Sequence, residues 1–133
     1  MDRWTIPEIA SVGLSAEQAR RMTSSSSVVE GVAYFKDSAR GRLSGDLDGF
    51  VKLVVRAEGP SKHRIVGAHI LGDGANELIQ LASVLLHSGA TAEQVSRTPF
   101  AAVTLSGLFQ AACDDALLHS PFRLKQQAAS SSL

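Results

Sequence analysis

The spacing of apolar and polar positions divides the chain into an extended first half and a helical second half. Residues 28–35 are rich in β-branched and aromatic side chains and predict a strand. In 50–56, Val51, Leu53 and Val55 face one way while Lys52 and Arg56 face the other, the alternation of a strand with one buried face. A turn over 57–62, with Gly59-Pro60-Ser61 at its centre, leads to a returning strand over 64–71, so the pair predicts an antiparallel hairpin. Gly67 interrupts that second strand, where a missing side chain marks a bulge or the close approach of another backbone. Upstream, an extended opening over 7–14 ends at Ser15, an N-cap for a short helix from Ala16 to about Met22 with Glu17 and Gln18 in its first turn. Residues 36–48 are polar, contain two glycines, and read as a long exposed connection.

After Gly72-Asp73-Gly74 the period changes from two to about 3.6. Ala75, Leu78, Ile79, Ala82, Leu85 and Leu86 form one stripe, and Leu81 and Val84 widen it beyond what a single sheet can cover. Gly89 closes this helix. Thr91 caps the next, with Gln94 three residues on as its capping-box partner, and Pro99 ends the segment. Leu105, Leu108, Phe109, Ala112 and Ala116 give a last amphipathic helix that stops before Pro121. Strands first and helices last predict an α+β fold, an antiparallel β-sheet with helices packed on one side. Residues 1–125 form the domain; 126–133 are small, polar and Ser-rich and are expected to be a disordered tail. The excess apolar girth predicts a second subunit, with Leu78, Leu81, Val84, Leu85, Leu105, Leu108 and Phe109 at a two-fold interface.

Composition narrows the function. Across 133 residues, Lys+Arg and Asp+Glu each number 13, so the charge lacks the basic footprint of nucleic-acid binding. No apolar run approaches the ~20 residues of a membrane span, so a soluble chain with no membrane partner is expected. The single cysteine, Cys113, excludes an internal disulfide or a CxxC redox pair and fits a reducing compartment, the cytoplasm or an organelle. Ser131-Ser132-Leu133 lacks the basic middle residue of a peroxisomal tripeptide. His63, His69, His87 and His119 show no metal-ligand spacing, so no metal is expected, and a packed, hydrogen-bonded role is assigned to His69. Asp114-Asp115 reads as a solvated helix face, since adjacent helical residues diverge by about 100°. Lys36, Arg40 and Arg42 read as a solvated loop cluster, and Cys113 as an inert thiol.

Four ordered motifs give a family resemblance. The opening run from Trp4 through Pro7, Gly13 and Leu14 to Ala19 resembles the entry to the C-terminal dimerisation domain of the pyridine nucleotide-disulfide oxidoreductases. Gly49-Phe50-Val51-Lys52-Leu53-Val54, then Ile65-Val66-Gly67-Ala68-His69-Ile70-Leu71-Gly72, then Ala75-Asn76-Glu77-Leu78-Ile79 follow in that family's order. Ala39-Arg40-Gly41 with Gly45-Asp46, and Thr98, Phe100 and Thr104, resemble the soluble pyridine nucleotide transhydrogenase branch. The resemblance implies a homodimer in which each copy closes over its neighbour's flavin site, and FAD and NAD(P) bound by other domains of a full-length parent.

It also exposes a departure. Disulfide reductases of the family carry His-Pro-Thr-x-x-Glu here, the histidine serving the partner's dithiol and the glutamate orienting it. The matching stretch runs from Ala102 through Val103 and Thr104 to Gly107, so Ala102 and Gly107 stand at the His and Glu positions. Neither side chain can move a proton, and the transhydrogenase branch also lacks that histidine. With no GxGxxG fingerprint and no redox pair, this chain alone is expected to bind no cofactor and not to be an enzyme. The alternative to a fragment is a free-standing, non-catalytic dimerisation or scaffold module, an expectation that rests on Met1 directly preceding the opening motif and on the lost His/Glu pair.

Overall fold

The structure is a computed structural model that describes residues 2–3 and 7–132. Trp4, Thr5 and Ile6 of the opening motif, and Leu133 at the end, lie outside the described residues. Strands β1 (Asp2–Arg3), β2 (Ile9–Gly13), β3 (Val28–Tyr34), β4 (Phe50–Gly59) and β5 (Lys62–Leu71) form one sheet in the order β1-β2-β5-β4-β3, every pairing antiparallel. The helices are α1 (Ala16–Met22), α2 (Ala39–Ser44), α3 (Ala75–His87), α4 (Ala92–Arg97), α5 (Leu108–Leu118) and α6 (Pro121–Ser131). The α+β architecture expected from the change of period is therefore observed.

Helices α3, α4 and α5 cover one face of the sheet. There Val51, Leu53, Val55, Ile65, Ala68 and Ile70 meet Ala75, Ile79, Ala82, Phe109 and Ala112 in one continuous core. The other face carries a smaller cluster in which Ala16 and Ala19 of α1 meet Val28 and Val54. Helices thus lie on both sides, the main layer on one. Val54 and Val55 are both fully buried because successive strand residues face opposite ways and the sheet is covered twice; a register shift between them leaves Ile65 and Ala68 of β5, three positions apart, in the same core.

The shift lies opposite Gly67. A Cβ there would come within 1.9 Å of the Leu14 carbonyl oxygen, while the Leu14 N–H donates to the Val66 carbonyl at 2.9 Å. Both features expected of this glycine, the bulge and the close backbone approach, occur together. Gly31 plays the same part on the other side. A Cβ on Gly31 would come within 2.0 Å of the Ala112 carbonyl oxygen and 2.8 Å of the Ala116 Cβ, so β3 and α5 are nearly in backbone contact.

Three local expectations need correction. The connection over 36–48 is not irregular: Phe35–Asp37 forms a 3₁₀ turn, and Ser38 caps α2 by accepting from the Gly41 N–H at 3.0 Å. Gly41 lies against the Phe35 carbonyl, so the glycine that reads as a loop marker is a packing contact. The hairpin strands run to Gly59 and Lys62, leaving a two-residue turn, because Glu58 is held at the strand ends by Arg56 (2.8 Å), Arg64 (3.1 Å) and Lys62 (3.2 Å). The Arg56 hydrogen bond is the main reason its carboxyl lies below the usual carboxylate range, against a smaller opposing effect of burial and with help from Lys62 and Arg64. Finally, the Ser-rich end continues as α6 through Ser131, with Arg123 to Ser131 exposed. Pro121 at the first helical position and Ser120 as N-cap are the signals that start it.

The Gly31–α5 contact makes a direct prediction. Gly31→Ala forces β3 and α5 apart and destabilises the fold by about 3 kcal/mol, at the upper end of overpacking costs. Urea unfolding, with the shift read from the midpoint, measures it.

Candidate functional site: an apolar helix face and the stretch beside it

Helix α3 presents two unlike sides. Ala75, Ile79 and Ala82 are buried against the sheet, and Leu78, Leu81, Leu85 and Leu86 pack half-buried around that core. Val84 is 63% exposed, a β-branched side chain on the outer surface with Gln80, Ser83 and His87 for neighbours in a shallow depression. Next to the helix start, Leu78 and Leu105 share a cavity of about 410 Å³ with Arg40, Val103, Thr104 and Ser106. The structure therefore brings Leu78, Leu105 and Arg40 together, three residues from segments far apart in sequence.

Two expected interface residues must be withdrawn. Leu108 is 4% exposed and Phe109 fully buried, both in the protomer's own core. Their stripe on α5 is already met by β3 and β4, which periodicity alone cannot reveal. The helix also begins three residues later than the pattern suggests, leaving Leu105 in the preceding irregular stretch. Leu78, Leu81, Val84, Leu85 and Leu105 remain available at least in part.

That irregular stretch holds Ala102 and Gly107, which the resemblance sets at the family's His and Glu positions. Ala102 is exposed, and Gly107 precedes α5 as its N-cap without a capping side chain. Thr104 Oγ1 donates to the Ala101 carbonyl at 2.8 Å and accepts from Ser106 Oγ at 3.2 Å. Val103 adopts φ +59°, a left-handed conformation that a β-branched side chain disfavours. None of the residues lining the adjacent cavity is a His, Asp or Glu. The arrangement offers shape and apolar surface but no group that could take a proton.

The other residues weighed from the sequence have plain partners. His69 Nε2 meets the Leu14 carbonyl at 3.3 Å, the hydrogen-bonded role expected for it, while His87 and His119 each meet a carbonyl one turn back at 2.8 Å. Asp114 and Asp115 do more than face solvent: Asp114 accepts from Ser96 Oγ, and Asp115 Oδ2 accepts from the Val32 N–H at 2.9 Å. The latter occupies a free donor of the edge strand β3, which would otherwise invite pairing. Arg42 Nε donates to the Lys36 carbonyl at 2.8 Å, so two of the three loop cations are tied to each other. Cys113 is fully buried, and burial first, then the charges of Asp114 and Glu93, push its thiol up to about 12, which leaves no reactive thiolate near neutral pH.

His63 is the residue whose surroundings the sequence did not disclose. It is 2% exposed; its N–H donates to Glu93 Oε1 at 2.9 Å, its Nδ1 lies 3.0 Å from Glu93 Oε2, and its Nε2 lies 2.7 Å from Ser120 Oγ. Burial pushes the Glu93 carboxyl upward, but hydrogen bonds from the His63 ring, its own backbone and the His63 N–H outweigh it and hold the group below the usual range.

The sheet order, the α3 layer and the disposition of 98–107 can now be set against known proteins. Residues 3–113 match the family described as pyridine nucleotide-disulphide oxidoreductase, dimerisation domain. The chain belongs to that family. Mitochondrial dihydrolipoyl dehydrogenase of Bos taurus is 36% identical over 115 residues, covering 82% of this chain and 20% of the relative, and that of Rattus norvegicus is 39% identical over the same length. The chain therefore spans about a fifth of the curated relatives it matches. Among solved structures, LpdA from Mycobacterium tuberculosis aligns over 86% of this chain and 24% of its own at 24% identity (TM-score 0.73). The HOCl-induced flavoprotein disulfide reductase RclA from Escherichia coli aligns over 86% and 25% at 20% identity (TM-score 0.74), a likeness of fold. These relatives support the family and do not single out the transhydrogenase branch. Among the described residues no helix is long and apolar enough to cross a membrane.

The Glu93 pairing predicts an acid limb in stability. A carboxyl whose folded value is depressed contributes stability above its unfolded value and loses it as pH falls through the folded one. Unfolding free energy should thus decline as pH drops below the ordinary carboxylate range. Glu93→Gln should make that decline shallower, as read from denaturant melts at a series of pH values.

Proposed function

We propose that this domain joins two copies of an FAD-dependent pyridine nucleotide oxidoreductase, and that the parent passes hydride between nicotinamides rather than to a disulfide. The observation that carries the first part is the outward side of α3. Val84 stands exposed beside half-buried Leu81 and Leu85, with Leu78 and Leu105 at one end. Burying a fully exposed aliphatic side chain contributes roughly 1.5–3 kcal/mol and a half-covered one less, and two-fold symmetry doubles each contribution against the cost of association.

The second part rests on Ala102 and Gly107. The dithiol step needs a base oriented by a third group, and neither residue can supply one. Hydride transfer between two nicotinamides through a flavin leaves no thiol to protonate, so it tolerates their loss. The Ala39-Arg40-Gly41 and Gly45-Asp46 motifs, which resemble the transhydrogenase branch, support the same reading. FAD and NAD(P) would be held by other domains of that parent, with no cofactor bound by this domain.

Two measurements test these statements separately. Light scattering at micromolar concentration should give a dimer; Val84→Lys should give a monomer, while Met22→Lys, on α1 across the sheet, should leave the dimer intact. A monomeric parent sinks the contact role. The parent, expressed from the complete coding frame, should reduce thio-NAD with NADPH and show at least 100-fold less activity toward a dithiol–disulfide substrate. Efficient disulfide reduction would rule out the hydride reading.

A further inference from the structure

His63, Glu93 and Ser120 lie on the border of a cavity of about 580 Å³ that shares no lining residue with the α3 surface. Three elements bring them together. His63 is the second residue of β5, Glu93 belongs to the first turn of α4, and Ser120 occupies the break between α5 and α6. The α4 end is fixed to the sheet by the Ile65 N–H, which donates to the Ala90 carbonyl at 3.1 Å. The Ser120 end is fixed by its own N–H, which donates to the Leu117 carbonyl at 3.3 Å.

The hydrogen-bond roles follow from the chemistry of the partners. An ionised carboxylate can only accept, so the ring proton is on Nδ1 and points to Glu93 Oε2. In the neutral ring Nε2 is then bare, and it accepts from the Ser120 hydroxyl at 2.7 Å. Ser120 Oγ also accepts from the Phe122 N–H at 3.3 Å, at the start of α6. A hydroxyl, an imidazole and a carboxylate thus form one relay, with base and nucleophile in contact and the base oriented by a third group.

We propose that this relay is a serine-nucleophile site for small carboxylic esters, with Ser120 attacking, His63 as general base and Glu93 as the residue that positions it. Both Ser120 and His63 line the cavity although only 3% and 2% exposed, so the cavity is the side from which a substrate would approach them. Pro60, Leu117 and Phe122 offer an apolar wall for a short acyl group; Arg123, Gln126 and Gln127 offer polar partners for the alcohol portion.

In the first half-reaction Oγ bonds to the carbonyl carbon as its proton passes to Nε2, and the carbonyl electron pair moves onto oxygen. That oxyanion forms next to Oγ at the N-terminal, positive end of the 11-residue α6. Collapse breaks the bond to the alcohol, which takes the proton from Nε2. Water then adds to the acyl-serine with His63 as base, the carboxylic acid departs, and Oγ recovers its proton.

The test uses the full 133-residue chain, a fluorophosphonate probe and p-nitrophenyl acetate. One phosphonyl adduct should appear, on Ser120 by peptide mass spectrometry, with loss of fluoride. His63→Ala should slow labelling and ester turnover by about 10²–10⁴-fold, the usual contribution of a general base. Ser120→Asn keeps a capping side chain but no nucleophile, and should give no adduct. Glu93→Gln should lower kcat at least 10-fold with KM unchanged, a split that loss of packing alone would not produce. A native wild-type chain whose Ser120 stays unmodified under saturating probe overturns the proposal, as does an adduct that forms equally fast in His63→Ala. Should His63→Ala fail to fold, wild-type labelling decides. Since none of these measurements touches the α3 face, failure here leaves the contact role standing.

Discussion

The approach of α5 to the sheet is the constraint from which the rest of the molecule follows. With aromatic residues at only 5% of the sequence, the core is mostly aliphatic and must be closed by proximity rather than by large rings. Gly31 against the Ala112 carbonyl and the Ala116 Cβ achieves that, and Phe109 and Cys113 are fully buried beside it. Because α5 lies so close to β3, Asp115 can reach the Val32 N–H and cover the sheet edge. The same placement fixes the end of α5 and so the point at which the chain turns at Ser120 beside His63.

Helix α3 is packed by the same logic but left open on its far side. Ala75, Ile79 and Ala82 meet the sheet, and the larger side chains are displaced to the flanks and the outer surface. The stretch over 98–107 retains its contact with Leu78 through the cavity that Leu105 lines, and Val103 holds a left-handed backbone there.

What could be read from the sequence was what depends on near neighbours. The Thr91–Gln94 capping box and the Ser15 N-cap occur as expected, and Gln18 completes a second box at Ser15; each joins residues three apart. The hairpin and the role of Gly67 were legible because period two and a misplaced glycine are local signals. Leu108 and Phe109 were misplaced because a helical stripe shows that a face is buried and not by whom. Helix α2 was missed because Gly41, a loop signal in sequence, is a contact with Phe35. Ser120-Pro121 is a sound N-terminal signal for α6 that the Ser-rich composition downstream obscured. Nothing local joins His63 to Glu93 and Ser120, which are 30 and 57 positions away.

That distance bears on why the polar group inside the domain is more than a cap. Capping α6 requires one hydroxyl, and a serine at a helix end is satisfied as well in water as in a protein interior. A buried imidazole bracketed by a carboxylate and a hydroxyl adds desolvation cost that an apolar residue of similar volume would avoid. Here both ring nitrogens are engaged, and both Glu93 oxygens are used on one residue, His63. An arrangement made only to hold α6 in place would have no need to orient the ring from its far side. The carboxylate at Nδ1 and the hydroxyl at Nε2 together fix the tautomer, and a fixed tautomer is of use to a group that exchanges protons.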